Sequence, residues 1–454
     1  MRVFLKIAMA GSLCCWASSA MILAQDFRVG TAKRDITPAE PIRLAGYANR
    51  LKPSEGVAEP IFTRALAIED ASGARSVLAT VELVGVTRAF TESIADRLKA
   101  QLGVDRSRFM IVASHTHNGP LVHGSLDDQL TLTPQELEVI KRHTEKMADQ
   151  VFGVASDALS RLEPARLFFG HGKAAFAVNR RIYTPKGMNF GANPDGLVDH
   201  DVPVLRVEGP DGQVRGIVFG YACHGTTLGG EYNFLGGDWP GFAQKYLEQA
   251  YPGAAALFVT GCAGDADPQP RRKPLFVPEH GLEMAGAVAA AFSRGLTPVR
   301  GPLRAAFERV VLEQAPAPSR EEFEKRLKDK DTFIQRHARR YLEKLDRGEK
   351  LIAGYEAPVQ VWRFGSDLTL VALSGEVVVD YALRLKRELG ADKLWVAAYA
   401  NDVFAYVASN RILLEGGYEA DYSMYYYDFP TRWATSVEET LVKAVRELVA
   451  KTSD

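Results

Sequence analysis

The chain has 454 residues, with 55 Lys and Arg against 56 Asp and Glu, 46% hydrophobic and 24% charged residues. These figures describe a globular protein and exclude a disordered tail, a collagen-like fibre and a multispanning membrane protein. The formal net charge of −1 removes the electrostatic case for nucleic acid, whose phosphates call for a surplus of Lys and Arg on one face.

The chain opens on Arg2 and Lys6, an apolar run from Ile7 to about Ala24, and a polar start at Gln25. This reads as a secretory signal over residues 1–24, giving an exported protein, periplasmic or secreted, with no stable transmembrane anchor after signal removal. The competing reading is an uncleaved anchor, because the run approaches the roughly 18 apolar residues that span a membrane. Cys14 and Cys15 fall in the signal, which leaves Cys223 and Cys262 and at most one internal disulfide. A four-cysteine zinc site is impossible, so any metal must rely on His, carboxylate or Tyr oxygen.

From Phe27 onward, short apolar strands alternate with amphipathic helices. Ser76–Val86 and Arg108–Ser114 read as buried strands, and Thr91–Leu102 and Pro134–Leu162 as helices with apolar residues at three- and four-residue spacing. Val204–Val207 and Gly216–Ala222 form a hairpin turned at Gly209-Pro210-Asp211-Gly212. Ala254–Thr260 and Leu368–Leu373 are two more strands, and a helix covers Ser436–Ala450. The mixture predicts a layered α/β fold, a mixed sheet flanked by helices in a single large catalytic domain over residues 25–454. The one composition shift, a charged helical excursion at about 319–350, reads as a solvated surface helix in preference to a partner-binding arm.

Several predicted strands end on residues that carry chemistry. Ser114-His115-Thr116-His117-Asn118-Gly119-Pro120 follows an apolar strand directly, and residues i and i+2 of an extended segment share a side, so His115 and His117 can face one cavity. Two such imidazoles either share a metal, divide metal binding and proton transfer, or simply hydrogen-bond at a sheet edge. His224 ends a second strand before Gly225-Thr226-Thr227, and Gly236-Gly237-Asp238 either brings a nearby acid or starts the next helix. Gly264-Asp265-Ala266-Asp267 follows a third strand, with carboxylates that suit either a turn or a cation. Gly375-Glu376 follows a fourth, where the acid is either a metal ligand or a first-turn glutamate favoured by the helix dipole. A Tyr-rich segment from Ala397 to Tyr427 suits core packing or a phenol ligand equally well.

Taken in order, these segments resemble the neutral ceramidase family, zinc amidases that cleave the N-acyl bond of ceramide to sphingosine and a fatty acid. The resemblance rests on Arg34-Asp35-Ile36-Thr37-Pro38, Gly46-Tyr47, His115 to Pro120, Asn179-Arg180, Val198-Asp199 and His224-Gly225-Thr226. It continues through Gly237-Asp238, Gly264-Asp265, Gly375-Glu376, Asn401 to Tyr406 and Tyr418-Glu419. It implies Zn²⁺ held by His115, His224, Glu376 and Tyr406. It also implies that His117 and Arg180 bind and polarise the substrate amide and that Tyr418 supports the developing oxyanion. The expected reaction is hydrolysis of ceramide or a related N-acyl lipid by zinc-bound water. A zinc hydrolase of another small amide or ester, or a non-catalytic metal-binding relative, are the alternatives. Where the family commonly reads Ser-Pro-Asn this chain has Asp267-Pro268-Gln269, so a serine-nucleophile route loses its residue. After Tyr427 only one helix remains, which implies that the family's C-terminal immunoglobulin-like domain is missing.

Overall fold

The computed structural model describes residues 27–126 and 130–453; the expected signal lies outside them. Its larger sheet has nine strands. Along the sheet they run Ala255–Thr260, Val214–Tyr221, Asp201–Glu208, Glu163–Lys173, Phe27–Asp35, Phe62–Asp70, Arg75–Val81 and Phe109–Ala113, with Thr297–Val299 added beside Glu163–Lys173. The expected hairpin is present as the antiparallel pair Asp201–Glu208 and Val214–Tyr221. The outermost pairs at both ends are parallel, so the sheet is mixed. A second sheet of four strands runs Leu303–Glu313, Gly354–Phe364, Leu368–Leu373 and Leu394–Ala397.

Among the described residues there are nine α-helices: α1 Arg88–Leu102, α2 Pro134–Ser160, α3 Asp238–Ala250, α4 Phe276–Arg294, α5 Arg320–Arg326, α6 Thr332–Asp346, α7 Val379–Leu389, α8 Asn410–Glu415 and α9 Val437–Lys451. None is long and apolar enough to cross a membrane. Side chains that alternate along the strands give each sheet two apolar faces, which explains the near-continuous hydrophobic runs in the sequence. The inner faces meet through Phe27, Leu66, Met110, Val218, Trp362, Phe364 and Trp395, all buried in one cluster. The outer face of the large sheet is covered by α1 and α2 at one end and by α3 and α4 at the other. The outer face of the small sheet is covered by α7 and α9. The result is helices, sheet, sheet, helices: a mixed α/β architecture with its sheets flanked by helices.

The carboxyl ends of strands from both sheets are stitched together, which decides where a site can form. Ala113 N–H donates to Tyr399 O (3.2 Å), Asn401 N–H to Ile111 O (2.8 Å) and Ala398 N–H to Thr260 O (2.8 Å), while Thr260 Oγ1 donates to Ala113 O (2.7 Å). Loops leaving the two sheets are therefore fixed to each other, largely through backbone hydrogen bonds. Cys223 and Cys262 are both buried, free thiols.

Candidate metal centre

His115 and His224 leave two strands of the large sheet, and Glu376 leaves a strand of the small one. His115 does not continue the strand in extended form: its φ is +58°, a left-handed conformation costly for a residue with a Cβ. The reading of an extended segment is corrected at that residue, yet His115 and His117 still face each other, Nε2 to Nε2 at 3.1 Å. Glu376 is likewise not in the first turn of a helix, since α7 begins only at Val379. It pairs instead in a two-residue parallel bridge with Tyr406, so ligand-type residues separated by 30 positions are set side by side by backbone pairing.

The four residues expected as ligands converge. Glu376 Oε2 lies 3.1 Å from His115 Nε2 and 3.3 Å from His224 Nε2, and the Tyr406 hydroxyl lies 3.3 Å from His224 Nε2. A tetrahedral site with metal–ligand bonds of about 2.0–2.1 Å has edges of about 3.3 Å, so this spacing suits one small ion. The protonation pattern agrees. His115 Nδ1 faces Val84 O at 2.6 Å and His224 Nδ1 faces Ala263 O at 2.8 Å, so Nδ1 of each ring donates to a backbone carbonyl and Nε2 is the nitrogen turned towards the carboxylate. Burial and then the Arg180 guanidinium lower the pKa of His224 to about 4, which keeps its ring neutral at neutral pH. The donor set fits a divalent cation. The nitrogens of His115, His117 and His224 all lie within 4.8 Å of one another, so His117 also stands within reach of such an ion.

Around this centre, Arg180 and Tyr418 lie beside the residues expected as ligands. Arg180 is buried, with Nη1 3.0 Å from His224 Nε2 and Nε donating to Glu419 at 2.9 Å. Its Nη2 is buried without a partner, a donor left open beside the candidate ligands. Burial opposes its charge, but Tyr406, Asp267 and Glu419 outweigh that effect and keep it cationic. Tyr418 packs edge-on against Tyr406 (ring centroids 5.3 Å apart) and under the Arg180 guanidinium (5.6 Å). The His117 ring packs edge-on to Tyr47, and a Cβ at Gly46 would stand 2.4 Å from His117 Nδ1, so only glycine at position 46 leaves room for the imidazole.

Other carboxylates are explained without a metal. Asp267 ion-pairs with Arg271 and Arg180 (Oδ1 3.4 Å from Nη1) and accepts from Thr226 Oγ1 at 3.1 Å. Burial opposes ionisation of this carboxyl, and Arg271 and Arg180 overcome it, holding its pKa below the usual range. Asp265 accepts from Val379 N–H at 2.9 Å, at the start of α7. Asp238 is the first residue of α3 and accepts from the Thr227 and Leu228 amides (3.2 and 3.1 Å), so it braces the turn after His224. Two contacts on Glu376 were not anticipated: Tyr427 Oη donates to Oε1 at 2.5 Å and Tyr399 Oη to Oε2 at 3.3 Å.

A layered α/β fold carrying a buried histidine–carboxylate–tyrosine cluster at its strand ends is the class these observations define. The chain belongs to the neutral/alkaline non-lysosomal ceramidase family, whose N-terminal model matches residues 27–294. It is 28% identical to the neutral ceramidase of Pseudomonas aeruginosa over 257 residues, covering 55% of this chain and 38% of that protein. It is 24% identical to a rice neutral ceramidase over 253 residues, covering 54% of this chain and 32% of the relative. The chain thus matches about a third of the length of these relatives. The fold likeness reaches further: the crystal structure of the P. aeruginosa enzyme superposes over 94% of this chain and 74% of its own, with a TM-score of 0.72 at 20% identity. A structure of a ceramidase complexed with C2 gives 0.70 over 95% and 77%, also at 20% identity. Glu376, Tyr406 and Tyr418 lie beyond residue 294, so their membership of the site rests on the geometry above.

Proposed function

We propose that this chain is a zinc-dependent amidohydrolase that cleaves the N-acyl bond of ceramide or a related N-acyl lipid, releasing a free amine and a fatty acid. The observation that carries the reading is the convergence of His115, His224, Glu376 and Tyr406 at 3.1–3.3 Å, with both imidazole Nε2 atoms facing one carboxylate oxygen. Membership of the ceramidase family supports the choice of substrate. We further propose that residues 25–454 act as one catalytic domain, exported after loss of residues 1–24.

His115, His224, Glu376 and Tyr406 would hold the zinc. When bound, zinc supplies Lewis acidity, polarising an acyl carbonyl and acidifying water towards neutral pH. Arg180 presents its open Nη2 to the carbonyl oxygen of the substrate, and Tyr418 beside it supports the negative charge that develops there. His117 Nε2 accepts a proton from the attacking water and returns it to the departing nitrogen as the C–N bond breaks. Asp267 carries no hydroxyl for an acyl-serine route. Its contacts with Arg180 and Arg271 support a role in holding the guanidinium, with water attacking the carbonyl directly.

The test is hydrolysis of a fluorescent short-chain ceramide by the purified, zinc-loaded protein, alongside a panel of small acyl amides and esters. The proposal expects the ceramide to be cleaved and cleavage to stop on chelation. Turnover confined to the small amides or esters would reassign the substrate, and stoichiometric zinc with no turnover on any of them would leave a binding protein.

A further inference from the structure

The charged excursion reads in the sequence as a solvated surface helix, but one face of α6 is turned inward. His337, Ala338 and Tyr341 are buried, and Ala338 and Tyr341 form a small apolar cluster with Phe323 of α5. That face is occupied by the chain segment that carries Tyr427. His337, Arg340, Tyr341 and Lys344 recur at three- and four-residue spacing, so all four project from one side of the helix. Lys344 Nζ donates to Asp428 Oδ2 (3.0 Å), Arg340 Nη1 ion-pairs with Asp428 Oδ1 (2.9 Å) and Tyr341 Oη donates to Asp428 O (2.6 Å). One residue further on, His337 Nε2 donates to Phe429 O (2.8 Å). On the other side of Tyr427, the Tyr422 hydroxyl donates to Asp331, whose Oδ1 caps α6 by accepting from Phe333 N–H (2.7 Å). Asp428 has a φ of +54°, so these contacts hold the backbone in a conformation it would otherwise seldom adopt.

We propose that Tyr427 is a positioning residue for the ligand Glu376, and that α6 acts as a clasp which sets Tyr427 through Asp428. The two oxygens of Glu376 have different tasks. Oε1 is taken by the Tyr427 hydroxyl at 2.5 Å, while Oε2 faces His115 and His224. The phenol therefore fixes the carboxylate plane and directs a single oxygen at the metal position. Tyr427 lies in a turn outside any helix or strand, where its amide donates to Ser423 O at 3.3 Å and its ring packs against the core, and the grip of α6 on the next residue adds to these contacts. This inference rests on the zinc reading above.

Zinc affinity of the purified chain, measured by competition with a fluorescent chelator together with the melting temperature of the metal-free protein, tests it. Contacts that orient a metal ligand are worth about 10- to 100-fold in metal affinity. Tyr427→Phe should weaken zinc binding by that factor and leave the metal-free melting temperature nearly unchanged. The pair Arg340→Met and Lys344→Met should weaken zinc in the same direction, and adding it to Tyr427→Phe should produce no further loss. Wild-type zinc affinity in Tyr427→Phe overturns the proposal. Losses that multiply when the two changes are combined overturn the route through α6. If the wild-type chain binds no zinc at all, the zinc reading falls and this inference with it, whereas failure of the variants alone leaves that reading standing.

Discussion

Replacing Gly46 with alanine should disable His117 without touching the metal. The added Cβ would lie 2.4 Å from both Cγ and Nδ1 of the imidazole and 2.9 Å from its Cβ, where ordinary contact begins near 3.4 Å. The ring must therefore retreat by about 1 Å, and a displacement of that size at a reacting group costs on the order of a hundredfold in rate. Gly46 also has a φ of +92°, so alanine there adds about 1–2 kcal/mol of backbone strain. Gly73→Ala supplies the control, because its φ is +80° and its added Cβ meets no atom within 4 Å. Both variants should melt slightly lower than wild type, but only Gly46→Ala should lose roughly two orders of magnitude in kcat/KM while keeping a full complement of zinc. Steady-state kinetics on short-chain ceramide with metal analysis of the same preparations decides it. Turnover within threefold of the Gly73→Ala control would refute the proton-transfer role of His117, and loss of zinc with activity would make His117 a ligand instead.

Four further outcomes follow from the same geometry. His117→Ala and Arg180→Ala should each retain zinc and lose about a hundredfold or more in turnover, measured by kinetics beside metal analysis. Asp267→Asn leaves Arg271 and Arg180 short of a buried partner and should cost about 3 kcal/mol in denaturant unfolding, Arg180 keeping Glu419. In labelled water, mass spectrometry of single-turnover mixtures should show the heavy oxygen in the released acid and no acyl group on Asp267 or any other side chain. Burial lowers the pKa of His337 to about 4, below its unfolded value near 6.5, so the unfolded chain takes up the proton first as pH falls. This histidine should subtract about 1.4 kcal/mol of stability per pH unit between 6.5 and 4. Melting curves of His337→Asn should show a shallower decline over that window, and an unchanged slope would contradict the burial argument.

Much of the site was legible because it is built on strand ends. An apolar strand that gives way to polar residues and a nearby glycine is a local signal, and it singled out His115, His224 and Glu376 as candidates, while their reading as ligands came from the family resemblance. Tyr399 and Tyr427 were not legible. Both belong to a Tyr-rich segment whose periodicity does not separate core packing from a phenol on a carboxylate, and Tyr427 reaches Glu376 across 51 positions. The inward face of α6 was hidden for a related reason: its charges satisfy Asp428, a partner 84 residues from Lys344, so charge density alone suggested solvent. The choice between a turn and a cation at Asp265 and Asp267 stayed open because sequence does not reveal the α7 amide and the arginines that take up their oxygens. The left-handed φ of His115 is imposed by its surroundings and leaves no mark in the residue type.

The central claim is that residues from two sheets hold one zinc ion, and metal analysis of the purified wild type, His115→Ala and His224→Ala tests it most directly. The wild type should carry one zinc per chain, and each variant should lose most of its zinc together with its activity. Full zinc in both variants would contradict the assignment of these two histidines as ligands.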